Sequence, residues 1–376
     1  MKPSCDPAVA LLRLFFTPGL GPVFQARVLQ VLREPARVFD LPRLLKEDPS
    51  LFVGLPLEAL AKVNGIDVGR RAEKEWEGLQ KKGARLISVL DPEYPPLLRR
   101  AYKAPAILFL KGQVVDWERH VPLAFVGTRG ASDYGRKTVE YFIEGLKGFP
   151  VAVISGFALG IDAFAHQAAL KFGLPTWGVT GTGLDQIYPK ENERLYGDML
   201  QKGTIVTQFS LGTAPLAWNF PERNQTIAGI SQAVLVIEAP QKSGALLTAQ
   251  FAMEEGREVM AVPGNIFSAK NKGCHRLLQQ GAKLVGGVED ILEELKLDQE
   301  CMGSVSNLRK VVRTPLPALD LSEQTLFQSL TEEPVHIDKI AEISNLAPSL
   351  AAGALTTLVL KGLAEELPGK FFVRNA

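Results

Sequence analysis

The centre of the chain alternates between short apolar runs rich in β-branched residues and longer stretches with helical periodicity. Each apolar run ends near glycine or another turn residue, which is typical of buried strands connected by helices. The pattern predicts an α/β fold with a parallel sheet covered on both faces and right-handed crossovers between neighbouring strands. The predicted strands are Leu123–Val126, Val151–Ser155, Thr176–Thr180, Thr204–Thr207, Ala233–Ile237 and Glu258–Val262.

Residues 1–83 have the pattern of short helices. Helical periodicity at Ala8–Phe16 and Phe24–Leu32 flanks the turn Gly19-Leu20-Gly21-Pro22. A glycine turn between two helices can direct backbone N–H groups at a phosphate, as in helix-hairpin-helix modules. A simple αα-hairpin explains the same pattern and is the interpretation we favour. The sequence thus predicts a small helical domain at 1–83 and the sheet domain at 84–297.

The C-terminal part of the chain has a third kind of sequence pattern. Residues 298–316 are polar and run into prolines, which predicts a linker. Residues 317–376 contain three helical patterns, followed by the apolar run Phe371-Phe372-Val373 with Pro368-Gly369 as the turn before it. This order predicts a winged-helix domain, which can bind DNA or a protein partner.

Length and charge narrow the class of protein. A chain of 376 residues is too long for one small core, so two or three domains are expected. The net charge of +1 excludes a polycation, so any nucleic-acid site must be a local patch.

Cysteine usage and the apolar runs bear on the compartment. Cys5, Cys274 and Cys301 lie far apart, which fits a reducing cytosol and indicates no zinc site. The N-terminal apolar run is short and interrupted by Arg13, so neither a signal peptide nor a membrane span is expected. The sequence predicts a cytoplasmic protein without membrane association or a bound metal.

Loops at the ends of the predicted strands carry the most suggestive chemistry. In an open parallel sheet the carboxyl ends of the strands meet at one rim, and ligands bind there. Glycine lets backbone approach a ligand closely, while hydroxyl groups and helix N-termini bind phosphate oxygens. One such loop is weak evidence, but several on one rim predict a phosphate or nucleotide site. The candidate residues in these loops are Gly127, Thr128, Arg129, Ser155, Gly156, Ser243, Gly244 and Thr248.

The segment from Asn219 to Ser231 contributes a second set of candidates. A helix is expected to begin near Pro221, with Arg223 and Asn224 in its first turn. Free N–H groups at that position favour anions, and a forked guanidinium suits phosphate. We expect Arg129 and Arg223 to be exposed on the rim.

Aromatic residues stand beside this segment. Trp218 and Phe220 flank Asn219, and either ring could stack on a base without sequence preference. Trp218 is expected to be the more exposed of the two, because packing of Phe220 beneath the Pro221 turn is the favoured alternative. Lys190 adds a cation to the predicted rim.

Three patterns that imitate catalytic motifs are set aside. Gly130 to Thr138 resembles a phosphate-binding loop of ATPases, but an extra Arg136 breaks the spacing and the tract is expected to run into a helix. Gly181-Thr182-Gly183 lacks the third glycine of a dinucleotide site. Asp162 and His166 could form an acid–base pair, although packing on one helix face is favoured. We predict no enzyme activity, no catalytic residue and no cofactor.

Several long motifs, in order, resemble the DNA-processing protein A family (DprA, also called Smf). The resemblance covers nearly the whole chain and is closest across residues 92–295. It rests on Val126-Gly127-Thr128-Arg129, Ser155-Gly156-x-Ala158-x-Gly160-Ile161-Asp162, Gly183-Leu184-Asp185-x-Ile187-Tyr188-Pro189-x-x-Asn192, Asn219-Phe220-Pro221-x-Arg223-Asn224, Ser243-Gly244-Ala245-Leu246-x-Thr248-Ala249 and Val262-Pro263-Gly264-Asn265.

The resemblance implies an extended Rossmann-like domain that binds single-stranded DNA and forms a homodimer. It also implies that the protein protects incoming DNA during natural transformation and loads RecA against single-strand-binding protein. Arg129 matches an arginine that contacts the DNA backbone in the family, and Asn192, which closes the third motif, is a further candidate for binding DNA or phosphate. Gly130, Gln225 and His275 depart from residues common there, which thins the basic patch.

Two other functions stay open at this point. Nucleotide phosphoribohydrolases of the lysine-decarboxylase-like type share this kind of sheet, but carry Pro-Gly-Gly-x-Gly-Thr-x-x-Glu. The equivalent stretch here, Ser243 to Phe251, lacks that glycine cluster and its glutamate. A winged-helix regulator of duplex DNA is the third interpretation.

Overall fold

The computed structural model describes residues 6–297, 320–331, 334–344, 346–361, 363–367 and 369–374. The chain divides into two compact units, Met1–Asp298 and Gln299–Ala376. Each unit has a hydrophobic core of its own. The predicted linker at 298–316 lies outside the described residues.

The first unit is built on a mixed sheet, with nine strands among the described residues. The spatial order is β1-β2-β6-β5-β4-β3-β7-β8-β9. Pairs β1·β2 and β2·β6 are antiparallel, and every other pair is parallel. The strands are β1 Arg85–Ser88, β2 Ile107–Gly112, β3 Val121–Val126, β4 Val151–Ser155, β5 Thr176–Val179, β6 Thr204–Thr207, β7 Ala233–Val236, β8 Glu258–Ala261 and β9 Lys283–Leu284.

The six predicted strands are all present, and the predicted α/β class with an extended Rossmann-like sheet is confirmed. Strands β4, β5, β6 and β7 are buried along their whole length, which is why they read as continuous apolar runs rather than as alternating patterns. Strands β1, β2 and β9 add to both edges of the predicted parallel core.

Strand order reverses between β3 and β7. Strands β4, β5 and β6 follow on one side of β3, while β7 and β8 lie on the other. Val126 pairs with Val236 at the last register position, and the Thr128 N–H donates to the Glu238 carbonyl at 2.7 Å just beyond it. Open α/β sheets form their ligand crevice at such a switch point, outside the carboxyl ends of the strands.

Helices cover the sheet and form the N-terminal part of the unit. Helix α1 (Pro7–Phe16) is capped by Asp6, which accepts from the Ala8 N–H at 2.8 Å and from the Trp76 indole on α5 (Ile66–Lys81) at 2.9 Å. Core side chains of α1–α5 and of the sheet form one continuous cluster, so a domain boundary at residue 83 stays a prediction. The helices are α1 Pro7–Phe16, α2 Pro22–Leu32, α3 Leu41–Glu47, α4 Leu57–Leu60, α5 Ile66–Lys81, α6 Pro96–Arg99, α7 Asp133–Gly145, α8 Ile161–Phe172, α9 Glu193–Lys202, α10 Asn219–Ile230, α11 Gly244–Glu254, α12 Lys272–Gln279 and α13 Val288–Glu294; single 3-10 turns occur at Pro35–Asp40, Pro49–Phe52, Lys190–Asn192 and Ala269–Asn271.

The second unit has the predicted winged-helix order, with a short extra strand. Asp320 and Glu323 form a reciprocal capping box at its first helix, with both side-chain-to-backbone bonds at 2.8 Å. Leu326, Leu355 and Phe372 belong to its core. The elements are α14 Leu321–Ser329, β10 Val335–His336, α15 Ile337–Ser344, α16 Pro348–Leu360, β11 Ala364–Leu367 and β12 Phe371–Arg374, with strand order β10-β12-β11.

Across the described part of the chain, no single helix is long and apolar enough to cross a bilayer; the bent pair α15 and α16 meets the length and composition criteria only when the two are taken together.

Candidate functional site

Two adjoining clefts lie at the switch point of the sheet. The larger has a volume of about 320 Å³ and the smaller about 60 Å³. Arg129, Ala158, Phe220 and Arg223 line both of them. The structure therefore brings most of the predicted site residues together: the larger cleft is lined by Gly127, Thr128, Arg129, Phe220, Arg223, Asn224, Ser243, Gly244 and Thr248, and Gly156 lines the smaller one.

The loop after β4 is shaped to support the site. A Cβ atom at Gly156 would overlap the Arg223 guanidinium, so no larger residue fits there. Gly160 has φ +74, and Phe157, which is fully buried, has φ 58 in the left-handed region that non-glycine residues rarely adopt. Backbone held in this way is common at functional sites. The loop aims the Gly156 carbonyl at Arg223.

Arg223 is buried, so the expectation that it would be exposed is wrong. Its residue exposure is 5%, and its Nη1 atom donates to the Gly156 carbonyl and, at 3.2 Å, to the Val179 carbonyl. Asp162 Oδ2 lies 4.0 Å from the same nitrogen. Helix α10 begins at Asn219 rather than near Pro221, so Arg223 falls in its second turn and faces the strand ends.

The buried cation keeps an unpaired edge. The Arg223 Nε atom has no hydrogen-bond partner. Burial lowers the pKa of Arg223 to about 10, Asp162 opposes that shift and Arg129 adds to it, so the group is charged at neutral pH. Burial also raises the pKa of Asp162, with Arg223 acting against the rise. An anion in the cleft would meet a desolvated positive charge, where Coulomb attraction is strong.

Arg129 and Phe220 form the accessible part of the site. Arg129 is exposed, and its guanidinium carbon lies 5.5 Å from the centre of the Phe220 ring. The Arg223 carbon lies 5.8 Å from the same centre, and the Tyr188 ring is 5.7 Å away. Phe220 is half-buried and lines both clefts, so the favoured expectation that it packs as core is wrong.

Trp218 stands clear of the clefts at the start of α10. Its residue exposure is 65%, which confirms the predicted exposure, while its part in binding stays a prediction. Lys190 is also exposed, next to Pro189 on the wall of the smaller cleft.

The start of α11 forms part of the wall of the larger cleft, next to α10. Ser243 caps the helix by accepting from the Ala245 N–H at 3.2 Å. Asn224 and Thr248 hold the first turn in place, since both donate to the Gly244 carbonyl, at 3.2 and 3.3 Å. The first turn contains no acidic residue, so the positive end of the helix is open to an anion.

Ser155 and Asn192 support the site from beneath. The Ser155 hydroxyl is fully buried and donates to the Phe125 carbonyl at 2.6 Å. Asn192 is buried and donates to the Phe157 carbonyl at 3.0 Å and to the Ala158 carbonyl at 3.3 Å. Neither lines a cleft, and both brace the loops that do.

Lys242 is a site residue that sequence reasoning missed. It is exposed and lines the larger cleft. Its position directly before the Ser243 cap was the available signal, because a cation beside a helix N-terminus reinforces an anion site.

The N-terminus of α7, the first helix after β3, binds a carboxylate of the protein itself. Buried Glu238 accepts from the Ser132 N–H at 2.9 Å and from its hydroxyl at 2.6 Å, at the N-terminus of α7. Dinucleotide pyrophosphates occupy that helix end in Rossmann enzymes. The tract from Gly135 to Thr138 lies inside α7, as predicted, and forms no phosphate loop.

Asp162 and His166 face different partners. Asp162 accepts from the Ala158 N–H at 3.2 Å and lies beside Arg223, whereas His166 Nδ1 is 2.7 Å from the Thr176 hydroxyl. Burial lowers the pKa of His166 to about 3, so the ring is neutral. This arrangement is the packed one that we favoured. Among the described residues, no three His, Cys, Asp or Glu side chains are grouped to hold a metal ion.

A Rossmann-like sheet with a basic switch-point cleft and a winged-helix unit defines the class of protein. Residues 85–296 match the family model of DNA recombination-mediator protein A, and residues 313–370 match the DprA winged-helix domain. The chain therefore belongs to the DNA recombination-mediator protein A family.

Individual relatives agree with this assignment. The DNA processing protein DprA of Streptococcus pneumoniae is 44% identical over 210 residues, which span 56% of this chain and 74% of that protein. The X-ray structure of the Streptococcus pneumoniae protein superimposes with a TM-score of 0.61 at 36% identity, covering 76% of this chain and 97% of that one. DNA processing protein A from Helicobacter pylori, whose structure addresses a single-stranded DNA binding mode, shares the fold with a TM-score of 0.51 at 22% identity, covering 56% and 95%.

Proposed function

We propose that this protein binds single-stranded DNA in the switch-point cleft, chiefly through the sugar-phosphate backbone. The observation that carries the proposal is the pair Arg129 and Arg223, whose guanidinium groups flank the Phe220 ring at the mouth of the cleft. Guanidinium groups bind phosphate through forked, charge-assisted hydrogen bonds.

The two arginines have different tasks in this proposal. Arg129 is exposed and can follow a phosphate as the strand enters. Arg223 is held by the Gly156 and Val179 carbonyls and offers a fixed charge, with its Nε edge unpaired. Lys242 and the open start of α11 also line the larger cleft and can take the next phosphate.

Aromatic rings supply contacts to the bases. Phe220 is half-buried with both guanidinium groups near its ring, and Trp218 is exposed two residues before it. Base–aromatic stacking tolerates any base, so recognition by these groups has little sequence preference. The Helicobacter pylori protein, whose structure addresses a single-stranded DNA binding mode, supports single-stranded DNA as the ligand.

The finer role follows from the family. We propose that the protein is a recombination mediator that protects incoming DNA in the cytoplasm during natural transformation, loads RecA against single-strand-binding protein, and acts as a homodimer. Membership in the recombination-mediator family supports this role. A RecA filament-formation assay on strands coated with single-strand-binding protein tests it; no acceleration of filament formation would contradict it.

Binding itself is tested with fluorescently labelled oligo-dT and an excess of either single-stranded or duplex competitor. Wild-type protein should bind oligo-dT and lose it mainly to the single-stranded competitor. The Arg129→Ala variant should bind at least roughly tenfold more weakly, as expected for a lost charge-assisted contact. Arg119→Ala is the matched control, since Arg119 is exposed and precedes the amino end of β3, whereas the cleft lies at the carboxyl ends of the strands. Equal displacement by duplex, or equal affinities of both variants, would contradict the proposal.

A further inference from the structure

A carboxylate of the protein lies at the N-terminus of α7, the helix end where Rossmann folds bind phosphate groups. Helix α7 follows β3, the strand at the switch point, and its cap residue is Ser132. Glu238 lies just beyond the neighbouring strand β7 and is 2% exposed. Its two oxygens accept from the Ser132 N–H at 2.9 Å and from the Ser132 hydroxyl at 2.6 Å. A side chain thus takes the position that a bound anion would have.

The first turn of α7 is shaped to admit this carboxylate. A Cβ atom at Gly135 would overlap Glu238 Oε2, so glycine leaves the room that the carboxylate needs. Glycine within a helix costs about 1 kcal/mol relative to alanine, which makes it an uncommon choice at a buried helical position. The Ser132 hydroxyl also accepts from the Gly135 N–H at 3.2 Å. Ser132, Gly135 and the first N–H groups of α7 form what we call the α7 anion seat, and Glu238 fills it.

Free nucleotides and DNA make different demands on the switch-point cleft. A di- or triphosphate concentrates several charges at one point, and Rossmann folds bind such groups at the first helix. A DNA strand instead carries one charge per phosphate along its length. Arg129, Arg223 and Lys242 line the larger cleft, and the seat adjoins that cleft, because the Thr128 N–H on its wall donates to the Glu238 carbonyl at 2.7 Å. A filled seat therefore disfavours nucleotides while these cations stay available to a DNA backbone.

We propose that Glu238 is a specificity-determining residue: its carboxylate occupies the α7 anion seat and so excludes nucleoside di- and triphosphates from the switch-point cleft. The exclusion of pyrophosphate groups from the seat stands on the geometry of α7 alone. The consequence for DNA, a cleft that free nucleotides do not occupy, rests on the proposed function.

Inorganic pyrophosphate tests the seat directly, with the full-length protein and without DNA. Glu238→Ala empties the seat and should bind pyrophosphate at least roughly tenfold more tightly than wild type in a calorimetric titration. A ligand of the folded state also raises the melting temperature. Pyrophosphate should therefore stabilise the variant but not wild type, relative to sodium chloride of equal ionic strength. This readout also serves a variant that is less stable than wild type.

Three further variants separate the open seat from a simple loss of charge or of stability. Asp133→Asn is the matched control, since it removes an exposed carboxylate from the same turn of α7 and should gain no affinity for pyrophosphate. Glu238→Gln removes the charge but keeps the seat filled, so it should bind pyrophosphate far more weakly than Glu238→Ala. Glu238→Ser opens nearly the same space with a polar group in it, and it replaces the alanine variant if that protein does not fold.

Competition with labelled oligo-dT connects the seat to the proposed function. Pyrophosphate should displace oligo-dT from Glu238→Ala but not from wild type, beyond the effect of equal ionic strength. If wild type binds no oligo-dT, the proposed function fails, while the pyrophosphate titration still decides the role of Glu238. A folded Glu238→Ala protein that binds no pyrophosphate, or wild type that binds it equally well, would overturn the proposal. Equal affinities of Glu238→Gln and Glu238→Ala would refute occupation of the seat.

Discussion

Arg129 and Arg223 serve the same cleft, but their burial gives them different roles. Arg129 projects into solvent, while Arg223 is bound by the Gly156 carbonyl and faces Asp162. The sequence predicted both residues as phosphate ligands but could not give the burial of Arg223. Residues 226–230 of α10 are all buried, so the second half of the helix has no exposed polar face from which the orientation of position 223 could be read.

Replacing Arg223 should damage both fold and binding. Arg223→Ala removes the cation from a buried carboxylate, and such losses cost about 3 kcal/mol or more of unfolding free energy. Arg129→Ala should change stability by less than about 0.5 kcal/mol while weakening DNA binding. Urea denaturation measures the free energy of unfolding of both variants. Adding Asp162→Asn to Arg223→Ala should restore part of the stability, since no buried charge then stays unpaired. An Arg223→Ala protein as stable as wild type would mean that the pair with Asp162 is unimportant.

His166 should make the fold sensitive to acid. Its pKa is lowered to about 3 in the folded protein, against about 6.5 in the unfolded chain. The folded state therefore keeps the ring neutral while the unfolded state takes up a proton as the pH falls below about 6.5. Stability from this group is complete above that pH and is lost at up to about 1.4 kcal/mol per pH unit down to about pH 3.

Comparing the free energy of unfolding of wild type with that of His166→Gln separates the effect of His166 from the titration of the carboxylates. The free energy of unfolding of wild type should fall more steeply between pH 6.5 and pH 5. Parallel curves for the two proteins in that window would show that His166 is not buried in its neutral form.

At the level of elements, the loop from β6 to α10 presents the aromatic residues. Glu75 on α5 accepts from the Leu211 N–H at 2.7 Å, and Asp185 accepts from the Gly212 N–H at 2.8 Å. At the far end, the Asn219 side chain donates to the Gly181 carbonyl at 3.0 Å. The loop is thus anchored on both sides of the exposed Trp218.

Sequence patterns predicted the parallel strands because each is a buried apolar run followed by a turn residue. They missed β1 and β2, which enter the sheet as antiparallel strands, with β2 pairing to the distant β6. No short hairpin turn joins β1 to β2, so the usual local signal is missing. Strand β9 spans Lys283–Leu284, which is too short to show a period.

Trp218 should report DNA binding by fluorescence. The fluorescence of its exposed ring should be quenched when oligo-dT stacks on it. Trp218→Ala should weaken the binding free energy by roughly 1–3 kcal/mol. The half-buried Trp117 packs edge to face on the core residue Trp177 at 4.7 Å, and both should stay silent. Trp218→Phe keeps an aromatic surface and should bind with nearly normal affinity but without most of the quench. An unchanged quench in Trp218→Phe would remove this residue from the site.

At the scale of the whole molecule, two features matter: the low net charge and the presence of a second unit with its own core. Because the net charge is only +1, any attraction to DNA must come from a local cluster such as the one at the cleft rather than from the whole surface. The winged-helix unit has its own core, built around Leu326, Leu355 and Phe372. The sequence predicted this unit because its helical patterns follow a polar, proline-marked stretch; no pattern in a single sequence shows which surface meets a partner.

Removing residues 317–376 should leave single-strand binding by the first unit largely intact. The compact unit Met1–Asp298 contains both clefts, and the removed part forms a separate core. Oligo-dT titration of the truncated and full-length proteins measures the difference. A truncated protein that is folded and monodisperse but does not bind would assign DNA binding to the winged-helix unit.

The salt dependence of oligo-dT binding tests the central claim most directly. If phosphates are bound by Arg129, Arg223 and Lys242, the logarithm of the affinity should fall linearly with the logarithm of salt concentration, by about 0.7 for each phosphate neutralised. Arg129→Ala should reduce that slope by about 0.7, and oligonucleotides of different sequence should give similar affinities. A slope near zero, or strong preference for one sequence, would contradict backbone binding in the switch-point cleft.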